Sequence, residues 1–293
     1  MLRTLGLLCI FILLFSACSR QKSNDGLLIA VSIPPQAWFV SQIAGDKAHA
    51  MILVGPGQNP HSYEPTPKQI QSLASAHAWI LSGTEFEISL RPKISVLFPN
   101  LLIVDGTKGV QFRFMEEHDD DDDHHHSNGH SLELDRHTWL GREPAKILGM
   151  HIRDTLSSVD SENREFYHEQ CEILIRLIDE EFDKLKIILE PLKGRNVFVY
   201  HPSFGYFLDE FDIHQEAVET GGKEPSPRAL NDLIAKLNEE QAAAIFVQTQ
   251  FPVSAARTLA AAVDAELLSL DPLAENWLEN IRNMGRTLMR AIP

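Results

Sequence analysis

Cysteine is scarce in this sequence. The chain has 293 residues and three cysteines, and two of these, Cys9 and Cys18, lie at its N-terminus. Cys171 is therefore alone in the rest of the chain, which excludes an intramolecular disulfide framework and a cysteine-rich zinc ribbon. Because Cys171 lies in the helical pattern CEILIRLIDEEF, we expect a buried, unreactive thiol.

Positive charge is also scarce. The sequence has 26 Lys and Arg against 41 Asp and Glu, which gives a formal net charge of -15. Nucleic-acid binding needs a basic surface, so this balance argues against DNA or RNA as the partner. Neither a G-x-G-x-x-G nor a P-loop motif is present, which disfavours a nucleotide-dependent enzyme. The apolar content of 44% is ample for a hydrophobic core.

The N-terminal apolar run is too short for a comfortable membrane span. It extends from Leu5 to Phe15, after Arg3 and before small residues that precede Cys18. This order is typical of a secretory signal, so we expect residues 1–17 to be removed on export to the periplasm or cell envelope. The segment FSAC resembles a bacterial lipobox, which predicts lipidation of Cys18 and anchoring to a membrane. An uncleaved anchor helix is the alternative.

The alternation of short apolar runs with amphipathic segments predicts an α/β fold. Predicted strands recur in both halves of the chain, at 27–33, 51–55, 79–83, 101–106, 196–201, 243–250 and 266–271. Alternating strands and helices imply mainly parallel sheets flanked by helices. Residues 161–190 have apolar positions at the three-and-four spacing of one long helix. We therefore predict an N-terminal lobe at 27–160, a rigid linking helix at 161–190 and a C-terminal lobe at 191–293.

Residues 116–131 form a low-complexity insertion without apolar periodicity, for which we predict a solvated loop. Seven acidic residues lie between positions 116 and 123, and five histidines lie nearby. Imidazoles next to carboxylates favour weak, secondary metal binding, whereas a plain solvated acidic loop is the alternative. The predicted weak ligands are His118, His124, His125, His126 and His130.

Four metal-competent residues lie near predicted strand ends or helix starts. His61 follows the strand at 51–55, and His201 and Asp271 end the strands at 196–201 and 266–271, while His137 precedes a predicted helix. Ligands bind beyond the carboxyl ends of parallel strands, so these residues predict one site between the lobes. Three imidazoles and one carboxylate suit Zn²⁺. The alternatives are surface histidines, and a helix-capping role for Asp271 before Pro272.

Several segments around these residues resemble, in the same order, the metal-receptor proteins of ABC transporters. They are GQNPHSYEPTPKQ, DRHTWLGREPAKIL, VFVYHPSFGYFLDEFDI, GGKEPSPRALNDLI and LLSLDPLAENW. The insertion rich in His and acids is similar to that of the zinc-uptake, ZnuA-like branch. Arg136 replaces the usual Pro of that family, and Gln248 replaces a common Glu, to which we assign no function.

The resemblance implies a solute-binding protein that captures Zn²⁺ between its lobes and delivers it to the membrane permease of an ABC transporter. The ligands carried over are His61, His137, His201 and Asp271, and the protein is expected to be a monomer without catalytic activity. Mn²⁺ is the alternative cargo, although manganese-preferring relatives tend to carry Glu at the position of His201. A His₃ zinc hydrolase and an adhesin are weaker alternatives, and the absence of an H-E-x-x-H motif disfavours the hydrolase.

Overall fold

The computed structural model describes residues 26–115, 133–219 and 225–292. The first lobe contains a four-stranded parallel sheet in the order β2-β1-β3-β4. In chain order its elements are β1 (Leu27–Val31), α1 (Pro34–Ala44), β2 (Ala48–Ile52), α2 (Pro67–Leu73), β3 (Ala78–Leu81), α3 (Glu85–Leu97) and β4 (Leu102–Asp105). The direction of winding reverses between β1 and β3, so a crevice opens there at the carboxyl ends of the strands.

Two antiparallel helices follow, α4 (Arg142–Val159) and α5 (Arg164–Leu189). The 26 residues of α5 correspond to a length of about 39 Å. Its buried face carries Cys171, Leu174, Ile178 and other apolar side chains three or four positions apart. Helix α5 packs against α1 and α4. Burial raises the pKa of the Cys171 thiol to about 11, as expected for an unreactive cysteine.

The second lobe repeats the first sheet topology, with the strand order β6-β5-β7-β8 and parallel pairing throughout. Its elements are β5 (Asn196–Val199), α6 (Gly205–Asp209), β6 (His214–Ala217), α7 (Pro227–Glu239), β7 (Ala244–Val247), α8 (Ser254–Val263), β8 (Glu266–Ser269) and α9 (Trp277–Leu288). Helix α9 returns to pack against α5 and α1. The long helix therefore joins the two lobes, and the predicted fold class is confirmed.

One hydrophobic cluster contains side chains from both sheets, including Ile29 of β1 and Phe246 of β7. A second, smaller cluster lies within the second lobe and includes Leu233 of α7 and Leu259 of α8. Adjacent residues of one strand divide between the clusters, because successive side chains of a strand point to opposite faces of the sheet. Val197 and Val199 belong to the shared cluster, whereas the intervening Phe198 belongs to the smaller one.

Four elements are missing from the sequence prediction: β6, α3, α9 and the short helix α6. Strand β6 has the sequence HQEA, in which polar residues interrupt any apolar run. Helix α3 contains Pro92, and α9 is a largely polar helix that begins at Trp277. The predicted strand at 51–55 also begins earlier, at Ala48, although backbone bonds to β1 continue as far as Leu53. Among the described residues, no helix combines the length and hydropathy that a membrane span requires.

Candidate metal centre

His61 lies just beyond the carboxyl end of β2, in a single 3₁₀ turn formed by Pro60–Ser62. The side-chain oxygen of Asn59 accepts the backbone N–H of His61 at 2.9 Å and caps this turn. The hydroxyl of Tyr63 donates to the Leu53 carbonyl at 2.7 Å, which ties the turn to the chain that leaves the sheet. These local bonds direct the His61 ring into the cleft, with 29% of its side chain exposed.

His137 is held by the aspartate two residues before it. Asp135 Oδ1 accepts the backbone N–H of His137 and contacts its ring Nδ1, both at 2.9 Å. Arg113 Nη1 donates to the other oxygen of Asp135 at 2.8 Å. Although burial opposes ionisation, the bonds from His137 and Arg113 lower the pKa of the Asp135 carboxyl. A buried carboxylate thus orients the His137 ring.

His201 lies two residues after the end of β5 and receives support from three sides. Its Nδ1 lies 2.5 Å from Oε1 of Glu219, which follows β6. The Phe251 ring stacks on the imidazole with a centroid separation of 4.2 Å. Gln248 holds the backbone of His201, because its Nε2 donates to the carbonyl at 2.6 Å while its Oε1 accepts the N–H at 3.2 Å.

The three histidines form one cluster across the cleft. One ring nitrogen from each lies within 4.8 Å of the others, and the Nε2 atoms of His61 and His201 are 3.1 Å apart. Nitrogen ligands of a tetrahedral Zn²⁺ lie about 3.4 Å apart, given bonds of about 2.0–2.1 Å. The cavity lined by the three histidines has a volume of about 20 Å³, which is room for one water molecule or ion. Small adjustments would therefore close these rings around one metal ion.

Each imidazole presents its Nδ1 atom to a carboxylate. His137 and His201 face Asp135 and Glu219, and His61 Nδ1 lies 3.1 Å from Glu85 Oε2. A carboxylate only accepts hydrogen bonds, so it stabilises the hydrogen on Nδ1 and leaves the Nε2 lone pair for a metal. Two such lone pairs would repel each other across the 3.1 Å between His61 and His201. A bound cation converts that repulsion into coordination.

Asp271 is placed differently from the histidines. It follows β8 at the same edge of the second sheet, but it does not belong to the three-residue cluster. Its Oδ1 accepts bonds from the Gln250 side chain at 2.8 Å and from the Leu273 backbone at 2.9 Å. The bond to Leu273 belongs to a turn, and the helix that follows, α9, is capped by Asn276 rather than by Asp271. Its role as a metal ligand stays a prediction.

The other predicted site residues lie outside the described part of the chain. They are the lipidation site Cys18 and the weak metal ligands His118, His124, His125, His126 and His130. Sequence analysis also missed residues that support the rings: Glu85, Asp135, Glu219 and Gln248. Of these, only Asp135 carries a local signal, because Asp-x-His spacing lets one carboxylate bond both the backbone and the ring of the histidine.

The surroundings of His61 and of His201 shift the pKa of the two rings in opposite directions. Burial opposes protonation of His61, but the charge and hydrogen bonding of Glu85 outweigh it and raise the pKa of His61 above its ordinary value. For His201, burial dominates and lowers the pKa to about 4. Burial alone would raise the pKa of Glu85, yet the interaction of Glu85 with His61 lowers that pKa to about 2. The His201 ring is therefore neutral at physiological pH, whereas His61 binds a proton more readily than an ordinary histidine.

Comparison with known proteins links this geometry to metal uptake. The sequence profile of the periplasmic zinc-uptake complex component A, ZnuA, matches residues 29–291. The zinc-binding lipoprotein AdcA of Streptococcus pneumoniae is 27% identical over 261 residues, covering 88% of this chain and 52% of AdcA. The chain thus spans about half the length of that relative.

Two further comparisons bear on cargo and fold. The manganese ABC transporter substrate-binding lipoprotein PsaA of Streptococcus mitis is 26% identical over 258 residues, covering 85% of this chain and 82% of PsaA. A crystal structure of ZnuA superimposes with a TM-score of 0.83 and 31% identity, covering 91% of this chain and 99% of that one. Relatives named for zinc and for manganese are therefore both similar to this chain.

Proposed function

The chain belongs to the ZnuA family of periplasmic zinc-uptake components, and we propose that it captures Zn²⁺ between its lobes and delivers it to an ABC transporter permease. The observation that supports this most is the convergence of three imidazoles, two from the first lobe and one from the second. A site built from both lobes fits a protein that holds a metal ion in its cleft. A membrane permease would then receive that ion.

The ligand types favour zinc over manganese as the cargo. Imidazole nitrogen suits Zn²⁺, whereas Mn²⁺ prefers oxygen ligands and a higher coordination number. Manganese remains the second candidate, because PsaA is named for manganese and oxygen donors lie close to the cluster. Glu85 lines the cleft together with His61 and His137. The choice between the two ions thus depends on how many oxygens join the imidazoles.

Asp271 is our proposed fourth ligand, through its Oδ2 atom. The bonds that Gln250 and the Leu273 backbone make to Oδ1 would then orient the carboxylate. Coordination by Asp271 closes a tetrahedral site, as in zinc sites that bind metal without activating water. The carboxylates of Glu85, Asp135 and Glu219 already lie against imidazole Nδ1 atoms. Their positions favour a binding role over a hydrolytic one, so we propose no catalytic step.

We further propose that the protein acts outside the cytoplasm as a monomer. The support for a location outside the cytoplasm is the secretory pattern of residues 1–17 and the lipobox-like segment before Cys18. A lipid anchor would keep the receptor close to the membrane permease. The insertion at 116–131, with its histidines and acids, would bind metal weakly.

Metal analysis of the purified protein tests the cargo, followed by competition between Zn²⁺ and Mn²⁺ monitored by calorimetry. We expect one tightly bound Zn²⁺ per chain that Mn²⁺ does not displace. Manganese outcompeting zinc would overturn the choice of cargo.

Alanine variants test the ligands. A structural zinc site contributes roughly 10–16 kcal/mol, so the loss of one ligand of four should weaken Zn²⁺ binding by about 100-fold or more. The variants are His61→Ala, His137→Ala, His201→Ala and Asp271→Ala. His49→Ala is the matched control, because His49 is exposed on β2. Tight binding that survives all three cluster substitutions would disprove the site.

A further inference from the structure

Glu85 and Arg136 form a charged pair at the mouth of the cleft. Both side chains line the cavity with the three histidines. Among the three histidines of the cluster, His61 is the most exposed, with 29% of its side chain exposed against 6% for His137 and for His201. His61 is therefore the ligand that its surroundings constrain least, and the residues beside it have the largest influence on its position.

The contact between Glu85 and His61 is direct. Glu85 is the first residue of α3, and its Oε2 lies 3.1 Å from the Nδ1 atom of His61. This oxygen is buried, and its contact with His61 lies outside the geometry of a well-aligned hydrogen bond. A buried carboxylate oxygen is costly unless a donor or a positive charge faces it. His61 Nδ1 is the group that faces this oxygen.

Arg136 holds the other end of the carboxylate. Its Nε lies 3.5 Å from Glu85 Oε1, and its Nη1 donates to the Gly83 carbonyl at 3.0 Å. The guanidinium therefore spans the turn before α3 and fixes which oxygen of Glu85 points to His61. Proline, the usual residue of the family here, has no side-chain donor and makes neither contact. The arginine that replaces the usual proline of the family thus makes a contact with Glu85 that proline could not make.

We propose that Glu85, held by Arg136, is a positioning residue that turns His61 Nε2 toward the metal and slows metal release. This inference rests on the proposed metal-binding function. The matching pairs at His137 and His201 are buried, so their rings stay oriented whether or not metal is bound. Only the pair at the cleft mouth is partly exposed, so the metal would leave after His61 turns away from Glu85.

The test compares Glu85→Ala and Glu85→Gln in the full-length protein. Glu64→Gln is the matched control, because it removes the same charge from an exposed residue three positions from His61. Nitrogen-15 NMR of labelled histidine in metal-free protein at pH 8 reports which nitrogen of His61 carries hydrogen. Competition with a chelator after zinc loading gives the rate of Zn²⁺ release.

We expect His61 to carry hydrogen on Nδ1 in the native protein and on Nε2 in Glu85→Ala. Loss of a carboxylate that orients a ligating histidine weakens metal binding by about 10–100-fold, and here the change should appear as faster release. Glu85→Gln should retain Nδ1–H, because the amide oxygen still accepts a hydrogen bond, and should restore part of the slow release. Arg136→Gln should accelerate release less than Glu85→Ala.

The proposal is overturned if His61 keeps hydrogen on Nδ1 in Glu85→Ala and releases Zn²⁺ within twofold of the Glu64→Gln control. A native protein that binds no Zn²⁺ would instead contradict the proposed function. The NMR measurement on metal-free protein still decides the role of Glu85 in that case, so the two failures are distinguishable.

Discussion

The indole nitrogen of Trp277 donates a 2.7 Å hydrogen bond to the backbone carbonyl of Trp139. Trp139 in turn donates from its own indole to the carbonyl of Pro272, also at 2.7 Å. Trp277 begins the last helix of the second lobe, and Trp139 lies two residues after His137 in the first. Both rings are buried, so these reciprocal bonds fasten the lobes together next to the cluster of three histidines.

Replacing Trp277 with Phe should loosen this connection. The change keeps an aromatic ring but leaves the buried Trp139 carbonyl without its donor, which costs about 1–3 kcal/mol of unfolding free energy. Urea denaturation of the metal-free protein measures that loss. Trp38→Phe is the control, because Trp38 packs on Trp277 but is only half-buried. Equal stability of the two variants would show that the inter-lobe bond contributes little.

Gln248 should not tolerate the glutamate that is common at its position in the family. Its amide donates to the His201 carbonyl at 2.6 Å, and a carboxylate would place a negative oxygen there instead. We expect Gln248→Glu to lower the unfolding free energy by about 1–3 kcal/mol at pH 8. Burial should raise the folded-state pKa of the new carboxyl, so the folded protein holds that proton more tightly than the unfolded chain.

The stability of Gln248→Glu should therefore fall as pH rises from 5 to 8, since the folded state loses its proton over that range. Thermal denaturation at several pH values measures this slope. Gln71→Glu, at an exposed residue of α2, adds the same charge and serves as the control. A variant as stable as that control at pH 8 would show that the His201 backbone finds another partner.

Zinc affinity should fall on acidification, with His61 contributing first. A protonated imidazole cannot bind metal, and the pKa of His61 is raised by Glu85 whereas that of His201 is lowered to about 4. Between pH 8 and pH 5, protons therefore compete at His61 while His201 stays neutral. Calorimetric titrations across this range should show a shallower pH dependence for His61→Ala than for the native protein. Parallel slopes would assign the competing proton to another group.

Deletion of residues 116–130 should leave one tight site and remove only weaker ones. His61, His137 and His201 already form a cluster within the described part of the chain. Titration with Zn²⁺ should therefore retain a single tight equivalent, with fewer weak equivalents than in the intact chain. Complete loss of the tight equivalent would mean that the insertion supplies a ligand of the main site.

The residues that sequence analysis located share a simple physical signal. The run from Val197 to Val199 in β5 is continuously apolar because both faces of the sheet are covered, and a polar residue that follows such a run lies at the carboxyl edge of the strand. His61 and His201 were located in this way. Strand β6 lacks the signal, since three of the four residues in its sequence HQEA are polar. Glu219, which β6 brings to His201, was missed with it.

The carboxylates that contact the Nδ1 atoms of the three histidines could not be identified from the sequence, for a related reason. Glu85 and His61 are 24 positions apart in sequence, and their contact depends on how α3 leaves β3. Such pairs follow from the packing of whole elements rather than from local spacing. Asp135 is the exception, because its distance of two residues from His137 makes the contact local.

The division of the hydrophobic side chains has a consequence for cooperative unfolding. One cluster takes in residues of both sheets, so the two lobes should melt as a single unit around it. The smaller cluster beneath α7 and α8 is confined to the far face of the second sheet. Backbone amides of those two helices should exchange with solvent by a lower-energy opening that leaves the histidines in place. The boundary between folding units therefore passes through the second lobe rather than between the lobes.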